Sequence, residues 1–362
     1  MVPQNRYRQR LQRVQRLLVA EDLDYLLVNA VPQLRYLVAY TGSNGLLVLG
    51  KGSAQFLTDG RYREQARHEV HGAKVQIVPG DLLAHLPQMP QLAKGRPRIG
   101  YESSLYSEKA ALRLRSLAPC ALFVPLEEFV APLLQVKDKQ EVACIRRAAA
   151  IADFAFASVL PLIKPGVRER DLAAELEYIM ARAGSEQVPF ESIVASGPRS
   201  ALPHGRAGTR RIAKGDFVTL DYGATMGGYV SDITRTVVVG RATTRQRRVY
   251  QMVLRAQKAA LARVRPGALC ADLDRAARSV IERSGDGRHF DHGLGHGIGL
   301  VVHEGPAVNA KSKVVLKSGM VITIEPGVYY PGWGGVRIED DVVVRPGGTT
   351  VLTSAERRLL EL

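Results

Sequence analysis

The sequence predicts an α/β protein of two domains, the second made of duplicated α/β units. Three observations carry this expectation. Helix and strand patterns alternate through residues 1–131, as in an α/β layer domain. From about Lys137 the texture changes to long amphipathic helices followed by paired strands. That second stretch, 137–362, then repeats its own punctuation about a hundred residues later. A chain of 362 residues suits about two domains, and either part is long enough to bury a core.

The elements follow in order. The first 19 residues hold five arginines, at 6, 8, 10, 13 and 16, and no acid. A transit peptide has this composition, but Leu11, Val14 and Leu18 share one helical face and the stretch runs directly into a strand pattern. A first amphipathic helix is therefore favoured. Tyr25–Asn29, Gly45–Leu49, Gln55–Thr58 and Val75–Val78 read as short strands, with helical patterns near 60–70 and 107–117. Nothing in this part has the residue types of a catalytic centre. The boundary falls near 130–137. Asp138–Ile163 is then a long helix stopped by Lys164-Pro165-Gly166, and a second helix spans about 168–183 and ends at Gly184. Strand patterns follow, then helices near 244–264 and 271–284, a Gly/His-rich stretch and two more strand pairs.

The repeat is specific in its details. Ile163-Lys-Pro-Gly166 precedes Asp171-Leu172, and Val264-Arg-Pro-Gly267 precedes Asp272-Leu273 at the same spacing. Phe217-Val-Thr-Leu-Asp221 recurs as Val321-Ile-Thr-Ile-Glu325. Asp221 and Glu325 are thus expected at equivalent places, one per half.

Composition excludes several classes. Hydrophobic residues make up 46% and charged residues 23%, as in ordinary globular proteins. No apolar run approaches the ~18 residues of a membrane span. Cys120, Cys144 and Cys270 are odd in number and lack metal-ligand spacing, which fits a reducing, cytoplasmic compartment. The net charge of +15 comes from basic residues spread along the chain, so a solvated surface is favoured and no nucleic-acid or membrane partner is expected.

Two hairpins carry the chemistry. A turn at Met226-Gly227 pairs 225 with 228 and sets Asp221 opposite Asp232. Glu325 and Glu339 lie on strands joined through Pro331-Gly-Trp-Gly-Gly335, and a loop centred on Gly332 sets them opposite each other. Facing Cβ atoms would be roughly 4.5–5.5 Å apart. Half-buried carboxylates so placed need a cation or a shared proton. Four converging carboxylates suit hard divalent cations. Three of the chain's eight histidines, His292, His296 and His303, fall within twelve residues, in a glycine-punctuated segment that lets backbone approach a site closely. Oxygen-rich ligands with one imidazole suit Mn, Co or Fe better than Zn alone. Bridging carboxylates would hold two ions roughly 3.5–4 Å apart.

These residues also carry a resemblance. Leu220-Asp-Tyr-Gly-Ala224, Ser231-Asp-Ile-Thr-Arg-Thr236, Gly293-Leu-Gly-His-Gly-Ile-Gly-Leu300, Thr323-Ile-Glu-Pro-Gly327 and Gly335-Val-Arg-Ile-Glu-Asp-Asp341 resemble the Xaa-Pro peptidases of the pita-bread metallopeptidase family. Leu202-Pro-His-Gly205 and Val302-His-Glu-Gly-Pro306 match as well. Tyr40-Thr-Gly-Ser-Asn-Gly45 and Leu57-Thr-Asp-Gly-Arg-Tyr62 resemble a creatinase-type N-terminal domain, although Pro32-Gln-Leu-Arg-Tyr36 fits its pattern loosely.

The resemblance implies a creatinase-like α/β domain over 1–131 and a pita-bread catalytic domain over 137–362. It implies two divalent ions held by Asp221, Asp232, His296, Glu325 and Glu339. Mn(II) is the favoured metal, with Co(II), Fe(II) and Zn(II) as alternatives. Glu325 matches the general base, and His204 and His303 match histidines that contact the substrate and stabilise the tetrahedral intermediate. His292 and Arg337 match positions near the metals and the substrate. An Xaa-Pro dipeptidase, commonly a homodimer, is favoured by the short thirteen-residue connection between Glu325 and Glu339. The alternatives are an aminopeptidase P acting on longer peptides and a non-catalytic binding module. Ala307 stands where some dipeptidases carry the arginine that meets the substrate carboxylate.

Overall fold

The computed structural model describes residues 4–89, 92 and 95–362; residues 1–3 of the expected first domain lie outside them. The chain divides into two compact units, Met1–Leu134 and Gln135–Leu362.

In the first unit, helix α1 (Gln4–Ala20) buries Leu11, Val14 and Leu18, the face read from the sequence. Arg10 is buried too, with its guanidinium 3.9 Å over the Tyr36 ring and a hydrogen bond donated to the Tyr36 carbonyl. Strand β1 (Tyr25–Val28) leads to α2 (Val31–Val38), β2 (Leu46–Gly50), β3 (Ser53–Thr58), α3 (Arg63–Glu69) and β4 (Lys74–Ile77). Then come β5 (Arg98–Glu102), α4 (Glu108–Leu117) and β6 (Leu122–Leu126). The six strands form one sheet in the order β4-β3-β2-β1-β5-β6. The sequence patterns missed α2, β5 and β6. Pro32 sits in the first turn of α2, where its missing N–H costs nothing, so it marks a helix start rather than a loop. Arg98-Ile-Gly-Tyr-Glu102 and Leu122-Phe-Val-Pro-Leu126 mix charge, glycine and proline, and they become strands only because β1 offers a parallel edge to β5, and β5 to β6.

The second unit starts with α5 (Lys139–Val159), capped by a reciprocal box. Asp138 accepts the Glu141 N–H, and Glu141 accepts the Asp138 N–H. After α6 (Glu169–Arg182) come β7 (Ile193–Ser196), β8 (Phe217–Tyr222), β9 (Thr225–Met226), β10 (Tyr229–Val230) and β11 (Ile233–Val238). A second helix pair, α7 (Thr244–Leu261) and α8 (Cys270–Arg283), precedes β12 (Gly295–Gly297) and β13 (Glu304–Val308). Five strands close the chain: β14 (Val321–Ile324), β15 (Gly327–Tyr330), β16 (Gly334–Arg337), β17 (Asp340–Arg345) and β18 (Gly348–Val351).

The duplication extends to individual hydrogen bonds. Gly166 N donates to Ile212 O, and Ile212 N returns to Val167 O, at 2.8 and 2.9 Å. In the second copy Gly267 N donates to Leu316 O, and Leu316 N returns to Ala268 O, at 2.9 and 2.8 Å. Each helix pair packs on its own sheet. The first pair shares a core with Val218, Leu220 and Ile233 of β8 and β11. The second shares one with Ile322, Ile324 and Val342 of β14 and β17. Two such halves give the pseudo-twofold pita-bread arrangement.

Candidate metal centre

All nine residues singled out in the sequence line one cavity of about 490 Å³: Asp221, Asp232, His296, Glu325, Glu339, His204, His292, His303 and Arg337.

The first acidic hairpin differs in register from the expectation. Its turn is Gly227-Gly228, so Met226 pairs with Tyr229 and Thr225 with Val230. Both glycines have positive φ, +60° and +75°, as the favoured two-residue hairpin turn requires. Met226 resists that conformation, and the turn therefore sits one residue later than read. Asp221 consequently faces Thr234 rather than Asp232. Moving the turn by one residue changes the pairing by two, which preserves the face. Asp232 falls two residues before Asp221's partner, as its diagonal neighbour. It also lies in a break between β10 and β11, where its N–H donates to Asp341 Oδ2 at 3.0 Å instead of to a ladder.

The second hairpin keeps the expected register. Ile324 pairs with Asp340, and Gly327 with Arg337, so Glu325 falls opposite Glu339 across the interruption. The reversal centres on Gly332. His296 enters from β12, flanked by Gly295 and Gly297. Cβ atoms there would lie 2.2 Å from Thr323 O and 2.1 Å from Gly305 O. These glycines thus let β12 squeeze between β14 and β13, and the close approach is strand to strand rather than strand to ligand.

The ligand-type atoms converge. One atom each from Asp232, His296 and Glu339 lies within 4.8 Å of the others. His296 Nε2 is 3.7 Å from Asp232 Oδ2 and 3.4 Å from Glu325 Oε1. His296 Nδ1–H donates to the Gly297 carbonyl at 3.1 Å, which leaves the Nε2 lone pair facing the carboxylates. Burial pushes His296 down to about 4, so the ring is a neutral ligand type at neutral pH. Burial pushes Glu325 up to about 7. Asp232 and Glu339 are driven well above the carboxylate range by burial and then by neighbouring acids. Asp221 is raised by burial despite the arginine beside it.

A divalent cation fits this set. Asp232 Oδ1 and Glu339 Oε1 are buried without any hydrogen-bond donor. Two orphaned carboxylate oxygens beside an imidazole lone pair are costly alone and satisfied by a cation.

Residues the sequence reading passed over hold this set in place. Thr234 Oγ1 donates to Glu339 Oε2 at 2.6 Å and accepts from Arg337 Nε at 3.0 Å. Thr323 Oγ1 takes the His296 N–H at 3.0 Å and meets Glu325 Oε1 at 3.2 Å. Thr323 was visible as the threonine kept in both copies of the repeated strand. Thr234 and Tyr329 carried no such signal. Arg337 uses four of its five N–H donors: besides Thr234, it reaches Asp221 Oδ2 at 2.5 Å, Tyr329 OH at 2.8 Å and Pro203 O at 3.1 Å. His292 is tied to Gly293 O and Tyr329 OH, and burial lowers it to about 4. His204 and His303 are exposed at the cavity, and the His303 ring lies 4.4 Å from His296.

The His303 loop is clamped. Glu304 Oε1 accepts the Leu300 and Val301 N–H groups, while Oε2 pairs with buried Lys137 at 2.8 Å. The His204 loop is clamped similarly. Glu169, fully buried, accepts from Ser196 N, Arg199 Nε and Gly208 N.

Known proteins share this architecture. Residues 143–346 match metallopeptidase family M24, and residues 10–133 match the creatinase/prolidase N-terminal domain. A protein of Pyrococcus horikoshii named Xaa-Pro dipeptidase is 37% identical over 344 residues, 94% of this chain and 95% of that one. The solved structure of an Xaa-Pro dipeptidase from Bacillus anthracis superposes with a TM-score of 0.95 at 37% identity, covering 98% of this chain and all of that one. An X-Pro aminopeptidase from Thermotoga maritima gives 0.90 at 36% identity, covering 97% of this chain and 100% of its own.

Proposed function

The chain belongs to metallopeptidase family M24, and from that premise we propose that it is an exopeptidase cleaving the bond between an N-terminal residue and proline, with Xaa-Pro dipeptides as its main substrates. The observation that carries this reading is the convergence of Asp232, His296 and Glu339 within 4.8 Å, two of them with donorless buried oxygens. Asp221 and Glu325 extend the set to five ligands for two divalent ions, Mn(II) foremost. Bound there, the ions supply Lewis acidity toward water and the scissile carbonyl.

The protein's own groups do the rest. Arg337 and Thr234 hold the Asp221 and Glu339 carboxylates, Asp341 and Thr323 fix the backbone of Asp232 and His296, and the Gly297 carbonyl orients the imidazole, so little reorganisation is needed during reaction. Glu325, ionised once the metals are held, takes the proton of the attacking water. It then delivers that proton to the proline nitrogen, which must leave as an amine. His204 and His303, exposed at the cavity, hydrogen-bond the substrate carbonyl as negative charge grows on its oxygen. Arg337 is buried with every guanidinium nitrogen bonded inside the protein and acts by fixing Asp221.

An X-Pro aminopeptidase is the second reading, favoured by the Thermotoga maritima likeness. A non-catalytic binding module has no use for the donorless oxygens at the cavity. A homodimer in the cytoplasm is the assembly and place we favour; the three free cysteines support the latter. Among the described residues no helix is long and apolar enough to cross a membrane. The test is metal analysis of the purified protein with a panel of Xaa-Pro dipeptides, tripeptides and longer peptides in Mn(II). Release of the first residue only from peptides without proline at position two would overturn the reading.

A further inference from the structure

Ala307 leaves open which group meets a free substrate carboxylate. Among the described residues lining the cavity, the arginines are Arg206 and Arg337 and there is no lysine. Arg337 is buried and every nitrogen of its guanidinium is already hydrogen-bonded. His292 and His296 each give Nδ1 to a backbone carbonyl, and Nε2 to Tyr329 and to the acidic cluster respectively. Arg206 differs from all of these. It stands two residues after His204, its side chain is 80% exposed, and its ion-pair partner is Glu191, itself largely exposed, with Nε 2.9 Å from Oε2. An exposed guanidinium of this kind can take a carboxylate in two parallel bonds.

Its backbone is nonetheless fixed. The Arg206 carbonyl accepts from Arg199 Nη2, and Arg199 Nε is held by fully buried Glu169. The neighbouring Gly205 N–H donates to Leu202 O at 3.1 Å. An exposed guanidinium on an anchored stem, beside the His204 loop, is suited to meet the end of a short substrate.

We infer that Arg206 is the specificity-determining residue that recognises the free α-carboxylate of the proline residue, with Glu191 as an internal carboxylate that the substrate displaces. This rests on the Xaa-Pro reading above and deepens it. Glu191 sets the level of discrimination, because a substrate without a free carboxylate leaves the Arg206–Glu191 pair intact.

The experiment compares kcat/KM for one Xaa-Pro dipeptide as free acid and as C-terminal amide, in the Mn(II)-loaded enzyme. The acid-over-amide ratio should fall about tenfold in Arg206→Gln, the low end for a lost charge-assisted contact because the site is open to water. It should recover in part in Arg206→Lys, which keeps the charge without the fork. It should rise in Glu191→Gln, which removes the competing carboxylate, and the wild-type ratio should decline with added salt. An unchanged ratio in Arg206→Gln, or a fall in Glu191→Gln, overturns the inference while the Xaa-Pro activity stands. Wild-type enzyme that cleaves neither acid nor amide overturns the functional reading and this inference with it. Arg206 is exposed, so the variants fold, and calorimetric binding of a reduced-bond dipeptide acid to each variant gives the same comparison without turnover.

Discussion

Thr234→Val tests whether the buried polar groups behind the acids set metal affinity. Thr234 is fully buried, and its hydroxyl joins Glu339 Oε2 at 2.6 Å to Arg337 Nε at 3.0 Å. Valine keeps the shape and removes both bonds. Glu339 Oε1 already lacks a donor, so the variant leaves that carboxylate without any side-chain support. Arg337 loses one of its four anchors. Loss of such an outer partner weakens metal binding by about 10–100-fold, which is about 1.4–2.8 kcal/mol. The unsatisfied guanidinium N–H also lowers fold stability by about 1–3 kcal/mol. Calorimetric titration of metal-stripped protein with Mn(II) reads the first effect, and thermal unfolding reads the second. Thr236→Val is the control. Its hydroxyl donates to Arg337 O at 3.0 Å and accepts the Arg337 N–H at 3.2 Å, with no bond to a candidate ligand. It should lower Tm and keep the metal affinity. A folded Thr234→Val that binds Mn(II) as tightly as wild type would refute the outer-partner role of Thr234.

Three further outcomes are expected. Glu325→Gln should retain metal by elemental analysis yet lose activity at least roughly 10²-fold, the lower end for removal of a general base; near-full activity with metal retained contradicts the base role. Metal binding should release protons near neutral pH, because the raised carboxyls must ionise to act as ligands. Titrations in buffers of different ionisation heat measure that release, and its absence would mean the acids were already ionised. In metal-free protein Glu325 binds its proton more tightly folded than unfolded, with its pKa raised from 4.5 to about 7. Its contribution is therefore full below 4.5 and lost as pH rises toward 7, so Glu325→Gln should flatten the fall of Tm across that window.

Much of the fold was legible because the duplication is written in punctuation. Proline and glycine at 165–166 and 266–267 stop helices at matching places, and the hydrogen bonds there match as well. The acidic cluster was legible because alternation along a strand fixes which face a side chain takes, so a two-residue error in pairing left Asp221 and Asp232 on one side. What stayed hidden depends on contacts distant in sequence. Thr234 reaches Glu339 across 105 residues, and Lys137 reaches Glu304 across 167. Arg337 matched a motif position near the metals and the substrate, and only its surroundings reveal that it is buried and bonded to Asp221, Thr234, Tyr329 and Pro203. Strands β5 and β6 were missed because their local pattern is weak and the sheet edge decides them, and helix α2 because it is short and opens on Pro32.

The most direct measurement follows proline released from an Xaa-Pro dipeptide by metal-stripped protein as Mn(II) is added. Release should be absent without metal, rise with added ion to a plateau at two equivalents per chain, and be lost in Asp232→Asn and Glu339→Gln. Proline release that survives chelation, or none at any Mn(II) level, would contradict a dinuclear Xaa-Pro peptidase.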